Sequence, residues 1–481
     1  MKADHPEGRS GNASRYALGF IFITVLLDAM ALGMVTPVLP RVVTELLAGF
    51  RVRPDVMEHL PGGVVSLAAV IYGLFHTVFA LMQFFFSPAI GALSDRFGRR
   101  PLILVSNIGL GLNYLLMAWA PTLQWLFIGR VLSGVTGASL GTASAYITDV
   151  TTPAKRASAF GMLGAAFGLG FILGPAIGGP LGELHPRLPF VVAAGFSLLN
   201  AAYGFFVLPE SLPKAMRRGF QWKRANPLGA LDLLRRHPEL TGLAGVAFLS
   251  NLAQVSLPTT VVLYVMHRYH WSSGQIGLTL GVVGVAVAVV QVIILGRFVR
   301  WFGDRAAMIV GLMFGTAGLL LAGLAATGPQ LWMAIPILAL WGLSGPAVQV
   351  LMTRHVAAFE QGQLQGANAS LTGISELAGP TIFSLTFAWF VRPGQPMEYS
   401  GAPFILGAAL LLAACIVGWW STRRGRYGTV IPSPSMGEGA RVEGDGAAVA
   451  ETSAKAADAY AGGEVPLTPA PPPSRGRENR A

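Results

Sequence analysis

From residue 91 the chain reads Gly91-Ala-Leu-Ser-Asp95-Arg96-Phe-Gly98-Arg99-Arg100-Pro101-Leu-Ile103. One acid and three arginines sit close together, with glycines that permit a tight turn. Asp95 can pair with the arginines or accept from a helix N-terminus. On either side the charge vanishes. Residues 63–90 and 101–120 contain no Asp, Glu, Lys or Arg. Each is long enough to cross a hydrocarbon core, which takes a helix of about 20 residues. A charged turn pinned between two such runs reads as a membrane hairpin.

Outward from this hairpin the pattern repeats. The first half gives spans at 16–39, 63–90, 101–120, 122–148, 157–181 and 188–208; the second gives 240–266, 273–296, 306–326, 330–353, 366–391 and 402–420. These are continuous apolar runs rather than alternating strands, so an all-α membrane protein is expected and a barrel is not. The twelve transmembrane helices fall into two six-helix bundles, 1–208 and 240–420, joined by a basic linker at 209–239. Residues 421–481, rich in Ala, Gly, Pro and Glu, cannot bury a core and read as a disordered tail.

Of the 481 residues 53% are hydrophobic and only 12% charged, about half the share of a soluble domain. The net charge of +11 lies in short clusters between spans, so it speaks for membrane orientation and not for nucleic acid. With the N-terminus in the cytoplasm, 22 Lys and Arg fall on the cytoplasmic side and 6 on the other. Both termini are therefore expected inside, in a multi-pass protein of the cell inner membrane. The single cysteine, Cys415, excludes intrachain disulfides and cysteine-cluster metal sites. The first apolar run is too long for a cleavable signal peptide, and Asp28 interrupts it.

The loop after span 8, Gly296-Arg-Phe-Val-Arg300-Trp-Phe-Gly303-Asp304-Arg305, occupies the place of Gly91–Arg100 in the second half. Such internal repeats suit a transporter with its site between the halves. Arg130 lies well inside span 4, where a charge is costly and should face a partner or a cavity. Span 5 carries Gly161, Gly170, Gly174-Pro175 and Gly178-Gly179, small residues that permit close helix approach around a proline kink.

These features resemble the major facilitator superfamily. Its signature loop has the form of Gly91, Asp95, Arg96, Gly98, Arg99 and Arg100, and is thought to latch the bundles on the cytoplasmic side. The resemblance implies a proton-coupling role for Arg130, and the span-5 spacing is similar to the family's antiporter signature. Ala80-Leu-Met-Gln83, Arg130-Val-Leu-Ser-Gly-Val-Thr-Gly137 and Gln361-Gly-Gln-Leu-Gln-Gly366 narrow the likeness to the tetracycline/proton exporters, over about residues 16–420. That subgroup has carboxylates in spans 1, 3 and 9 and a histidine in span 8. Here span 1 keeps Asp28, whereas the other positions correspond to Asn113, Gly315 and the vicinity of Val287. The departures argue against tetracycline itself as the expected substrate.

Two further ionisable residues, His76 in span 2 and Glu376 in span 11, fall at the depth of Asp28, Arg130 and Asn113 by residue count. A mid-bilayer carboxylate is costly when charged and so suited to take up a proton. Asp28 and Glu376 are therefore the expected coupling acids, one per bundle, with Arg130 beside them. His76, Asn113, Asn251, Gln254, Gln291 and Gln349 are candidates to line a substrate pocket. No Walker-type phosphate loop, spaced Cys/His set or Gly-x-Ser-x-Gly elbow is present, so an ion gradient rather than an enzymatic step is expected to drive the protein. Neither metal nor cofactor is expected, and the partners are a small molecule, protons and the bilayer, around a monomer. The reading is proton-coupled export of amphipathic compounds. Its alternatives are proton-coupled metabolite uptake and a non-transporting membrane sensor or scaffold.

Overall fold

With no water to satisfy exposed N–H and C=O groups in a bilayer, the apolar runs close their hydrogen bonds internally. A computed structural model describes residues 7–49, 63–137, 139–151, 153–214, 217, 232–356, 360–392 and 399–423, and among them every regular element is helical. The expected tail from 424 onward, and most of the linker, lie outside the described residues.

Among the described residues, ten helical stretches are long and apolar enough to cross a membrane. One of them, Ser273–Leu324, has 52 residues and carries two spans, parted at Gly303, whose φ of 79° reverses the chain. Span 11, Gln361–Phe390, adds a further 30-residue helix, which brings the total to twelve.

The helices depart from the simple runs in identifiable places. Span 1, Glu7–Val35, continues past a turn into the amphipathic helix Leu39–Gly49, where the sequence reading placed a loop. Span 4 divides into Leu123–Thr136 and Ser139–Val150 around Gly137. Span 8 is Ser273–Val289 followed by a π-turn at Val290–Ile294. Span 10 runs through a 3₁₀ turn, Leu340–Leu343, between Gly328–Ala339 and Ser344–Thr353.

In the first bundle span 1 packs on span 5 (Pro153–Leu184) and span 6 (Leu188–Val207), and span 2 (Gly63–Phe97) on span 4; span 3 (Arg99–Ala118) packs on spans 4 and 6. In the second, span 7 (Thr241–Tyr269) packs on span 11 and on span 12 (Ala402–Ser421), and span 9 on spans 10 and 12. Among the described residues, cross-pairs of spans 5 with 8, 2 with 11 and, less extensively, 2 with 7 join the bundles.

The end that carries the loop 2–3 arginines is here called the basic face. The cross-pairs seal the opposite end. There Glu183 accepts the Ser272 hydroxyl and, at 3.0 Å, the Gly274 N–H at the start of span 8. Ser66 Oγ donates to Ala388 C=O (3.1 Å), the Thr77 and Thr381 hydroxyls meet at 2.9 Å, and Tyr72 OH donates to Pro258 C=O (3.3 Å). The glycine contacts between spans 5 and 8 run from Gly179 against Ser273 to Gly284 against Ile172, and nearer the basic face nothing lies within 4 Å of a Cβ at Gly168, Gly164 or Gly161. On the span 5 side the packing between the bundles therefore loosens toward the basic face.

Candidate functional site

Span 5 packs between span 1 of its own bundle and span 8 of the other. A Cβ at Gly170, Gly174 or Gly178 would stand 2.6, 2.6 and 2.3 Å from the carbonyl oxygens of Leu26, Met30 and Met34. The two parallel helices therefore touch backbone to backbone at a four-residue repeat, as small residues in lipid allow. On its other face Gly179 meets the Ser273 carbonyl, and Pro175 C=O reaches Gly277 of span 8. Gly161 takes no part in this, since nothing lies within 4 Å of its Cβ position.

The predicted polar groups divide by bundle. Asp28 Oδ1 accepts from Asn200 Nδ2 of span 6 (3.3 Å). Asn200 is fully buried, and its amide is oriented by the Thr24 hydroxyl, which donates to Asn200 Oδ1 (3.1 Å). Arg130 is buried with its guanidinium over the Phe79 ring at 4.7 Å, a contact that offsets part of its desolvation. The Arg130 Nε has no hydrogen-bond partner among the described residues. His76 Nδ1 lies 3.1 Å from Tyr72 C=O, its ring edge-on to Tyr72. Asn113 donates to Ser133 Oγ (2.5 Å) and joins spans 3 and 4 within the bundle.

In the second bundle Glu376 sits midway along span 11 and is exposed. The residues beside it fix where it faces. Gly373 and Pro380 touch span 2, while Ser375 and Gly379 touch span 7. The exposed apolar residues Ile382, Leu385 and Trp389 mark the lipid side. At 100° per residue these lie about 120°, about 180° and about 140° from Glu376. Glu376 therefore opens onto the space between the bundles. Gln254 is exposed on span 7, whereas Gln291 lies in the π-turn near Gly342 of span 10. Asn251 and Gln349 line a cavity of about 180 Å³ toward the basic face, together with Ser250, Ser344, Asn368 and Thr372.

The loop 2–3 arginines form a hub. Gly98 at φ 108° turns the chain so that Arg99 lies buried, bonded to Ser94, to Asp95 (2.7 Å) and to Asp149 at the end of span 4 (3.2 Å). The Arg99 N–H donates to Glu210 (2.9 Å), which pairs with Arg217 in the linker (3.6 Å). Arg100 donates to Phe205 C=O at the end of span 6, and Arg96 lies over Phe97. In this conformation the hub ties its own bundle to the linker.

The Major Facilitator Superfamily profile matches residues 21–380. The chain belongs to the major facilitator superfamily. It is 36% identical over 414 residues to tetracycline resistance protein class C of Escherichia coli, covering 85% of this chain and 98% of that protein. Multidrug resistance protein 1 of Bacillus subtilis is 29% identical over 405 residues, covering 82% and 95%. Among solved structures, a bacterial homologue of the human lysosomal transporter Spinster, inward-facing and unoccupied, superposes with a TM-score of 0.66 at 16% identity, over 87% of this chain and 98% of that one.

Within this superfamily frame the departures have physical reasons. A side chain at Gly315 would meet Trp341 and Leu411 at 2.8 Å, so tryptophan fills the place where a span-9 carboxylate would stand. Asn113 keeps a hydrogen bond to Ser133 without carrying a charge. Sequence reading missed Asn200, Thr24, Asn368, Thr372 and Glu183. Asn200 had a signal, as the lone amide in an otherwise apolar span 6.

Proposed function

We propose that this major facilitator protein is a proton-coupled exporter of amphipathic compounds, with its basic face in the cytoplasm. The observation that carries the reading is the placement of Glu376. An acid midway through the membrane opens onto an inter-bundle space that is sealed at the opposite end. The resistance proteins among its relatives favour export over uptake.

The cycle follows from charge and access. A compound enters from the cytoplasm while Glu376 and Asp28 are ionised. Rocking about spans 5 and 8 breaks the Glu183 seal and opens the other side. The compound leaves, and protons from the more acidic exterior neutralise the two carboxylates, whose charge is costly at this depth. The neutral form returns to the inward-open state and releases the protons inside. Arg130 favours that release by stabilising nearby negative charge. Asn200, fixed by Thr24, holds the Asp28 carboxylate in place.

The test is transport in inverted vesicles with an acid interior, using tetracycline and a panel of lipophilic cations. Accumulation that collapses with a protonophore is the expected result. Accumulation that ignores the protonophore, or that occurs only in right-side-out vesicles, would overturn the reading.

A further inference from the structure

The exposed side of span 8 changes its chemistry near the basic face. Leu278, Val282, Val285 and Val289 are exposed and apolar, as a surface against lipid tails requires. Contact with span 5 runs through Gly277 and Gly284 instead, and Val290 packs on Ala339 and Leu343 of span 10. From Val285 the exposed ladder continues at four-residue spacing through Val289 and Ile293 to Arg297 and Trp301. Arg300, one turn beyond Arg297, is exposed too. Arginine and tryptophan at the end of an apolar stripe mark the level of the lipid headgroups.

At that level Ile293, Ile294, Arg297, Phe298, Trp301 and Phe302 line an open groove, with the Phe298 and Phe302 rings 4.8 Å apart in its wall. Arg297 Nη1 donates to Ile293 C=O (2.8 Å) and Arg300 Nε to Gly296 C=O (3.3 Å). Both heads are drawn back toward the preceding turn, whereas an arginine that merely snorkelled would stretch toward water. Each guanidinium keeps further N–H donors to offer. Among the described residues neither arginine meets a carboxylate, and Asp304, the acid of this loop, is taken by Arg354. The first bundle differs at the matching places, where Ala92 stands for Arg297 and Asp95 for Arg300. The cationic groove is therefore a feature of the second bundle and not of the repeat.

We propose that this groove is a site for an anionic phospholipid in the leaflet at the basic face. Arg297 and Arg300 hold the phosphate, as basic pockets at this level do. Trp301 lies beside the glycerol, and one acyl chain follows Ile293, Val289 and Val285. A zwitterionic lipid fits less well, because its ammonium finds no carboxylate among the residues that line the groove. The assignment is independent of what the protein transports.

The test is tryptophan quenching in the full-length protein, held in uncharged detergent micelles doped with phosphatidylglycerol or phosphatidylethanolamine of identical brominated chains. Bromine quenches an indole that it touches. The difference between each protein and its W301F counterpart isolates Trp301, which is exposed, so that the exchange empties no core. Phosphatidylglycerol should reach half-maximal quenching at about 25-fold lower mole fraction than phosphatidylethanolamine, about fivefold for each arginine. R297Q or R300Q should leave a preference of about fivefold, and R297Q/R300Q none. R235Q/R236Q, which removes the same charge from exposed positions near the end of the linker, should keep the full preference. Equal quenching by the two lipids, a preference that survives R297Q/R300Q, or one lost alike in R235Q/R236Q would each overturn the assignment. So would relief of the quenching by inorganic phosphate at constant ionic strength, which would make the groove a site for soluble anions.

Discussion

The loops after spans 2 and 8 occupy matching places in the two bundles and are both basic, but the ion pair that each makes runs the opposite way. In each, a glycine with positive φ, Gly98 or Gly303, turns the chain into the next helix. The next residue pairs with a partner fifty residues on: Arg99 with Asp149, and Asp304 with Arg354. The arginine after that lies against an aromatic residue near the end of its bundle, Arg100 over Phe205 and Arg305 over Trp419. The geometry is repeated while the polarity of the ion pair is reversed. Both bundles keep the pair, and its sign differs between them. The additions distinguish the two. Asp95 and Glu210 make Arg99 a hub reaching the linker, whereas Arg300, in the place of Asp95, bonds only to Gly296 C=O among the contacts described.

If polarity is interchangeable, D149R should destabilise the protein by about 2–3 kcal/mol, because buried Arg99 then faces a like charge. R99D alone would set its new carboxylate against Asp95, so D95R/R99D/D149R, which copies Arg300 of the second loop at position 95, should recover most of that stability in a thermal scan. A triple variant as unstable as D149R would break the comparison. R354A leaves Asp304, 9% exposed, without its arginine and should cost about 1–2 kcal/mol. The smaller effect follows from the half-exposed arginine. W419L should cost about 0.5–1 kcal/mol by removing the face under Arg305, measured against W419L/R305Q to isolate the stack.

The smallest effect concerns the far end of the linker. His237 lies 3.0 Å from Glu239 and 3.4 Å from Glu360, and its bond to Glu239, with that to Glu360, raises its pKa above the ordinary histidine value. A raised folded-state pKa stabilises below the unfolded value of about 6.5 and loses that stabilisation as pH rises through the folded value. H237Q should therefore lower stability at pH 6 by less than about 0.5 kcal/mol, given the exposure of the pair, and leave it unchanged at pH 9. An equal loss at both pH values would assign His237 to packing.

Much of this was legible because bilayer physics writes the spans as long uncharged runs, and because Asp95, Arg99 and Gly98 have few other reasons to occur together. The sharp turn between spans 8 and 9 was legible from Gly303. Other features depend on which helix faces which. Nothing in span 6 alone says that Asn200 points at Asp28, and nothing in span 10 alone says that Gln349 reaches Asn368. The span-5 glycines announced close packing, but only the fold assigns Gly170, Gly174 and Gly178 to span 1 and Gly179 to span 8 and leaves Gly161 out. The helix Leu39–Gly49 was passed over because it is amphipathic rather than uniformly apolar.

The account stands on Glu376 as the coupling acid of the second bundle. The direct measurement is substrate-induced proton release from purified protein, followed by pH-gradient-driven transport, in the wild type, E376Q and D28N. The account predicts that E376Q binds substrate, releases fewer protons than wild type and loses gradient-driven accumulation. Full proton release and full accumulation by E376Q would contradict it.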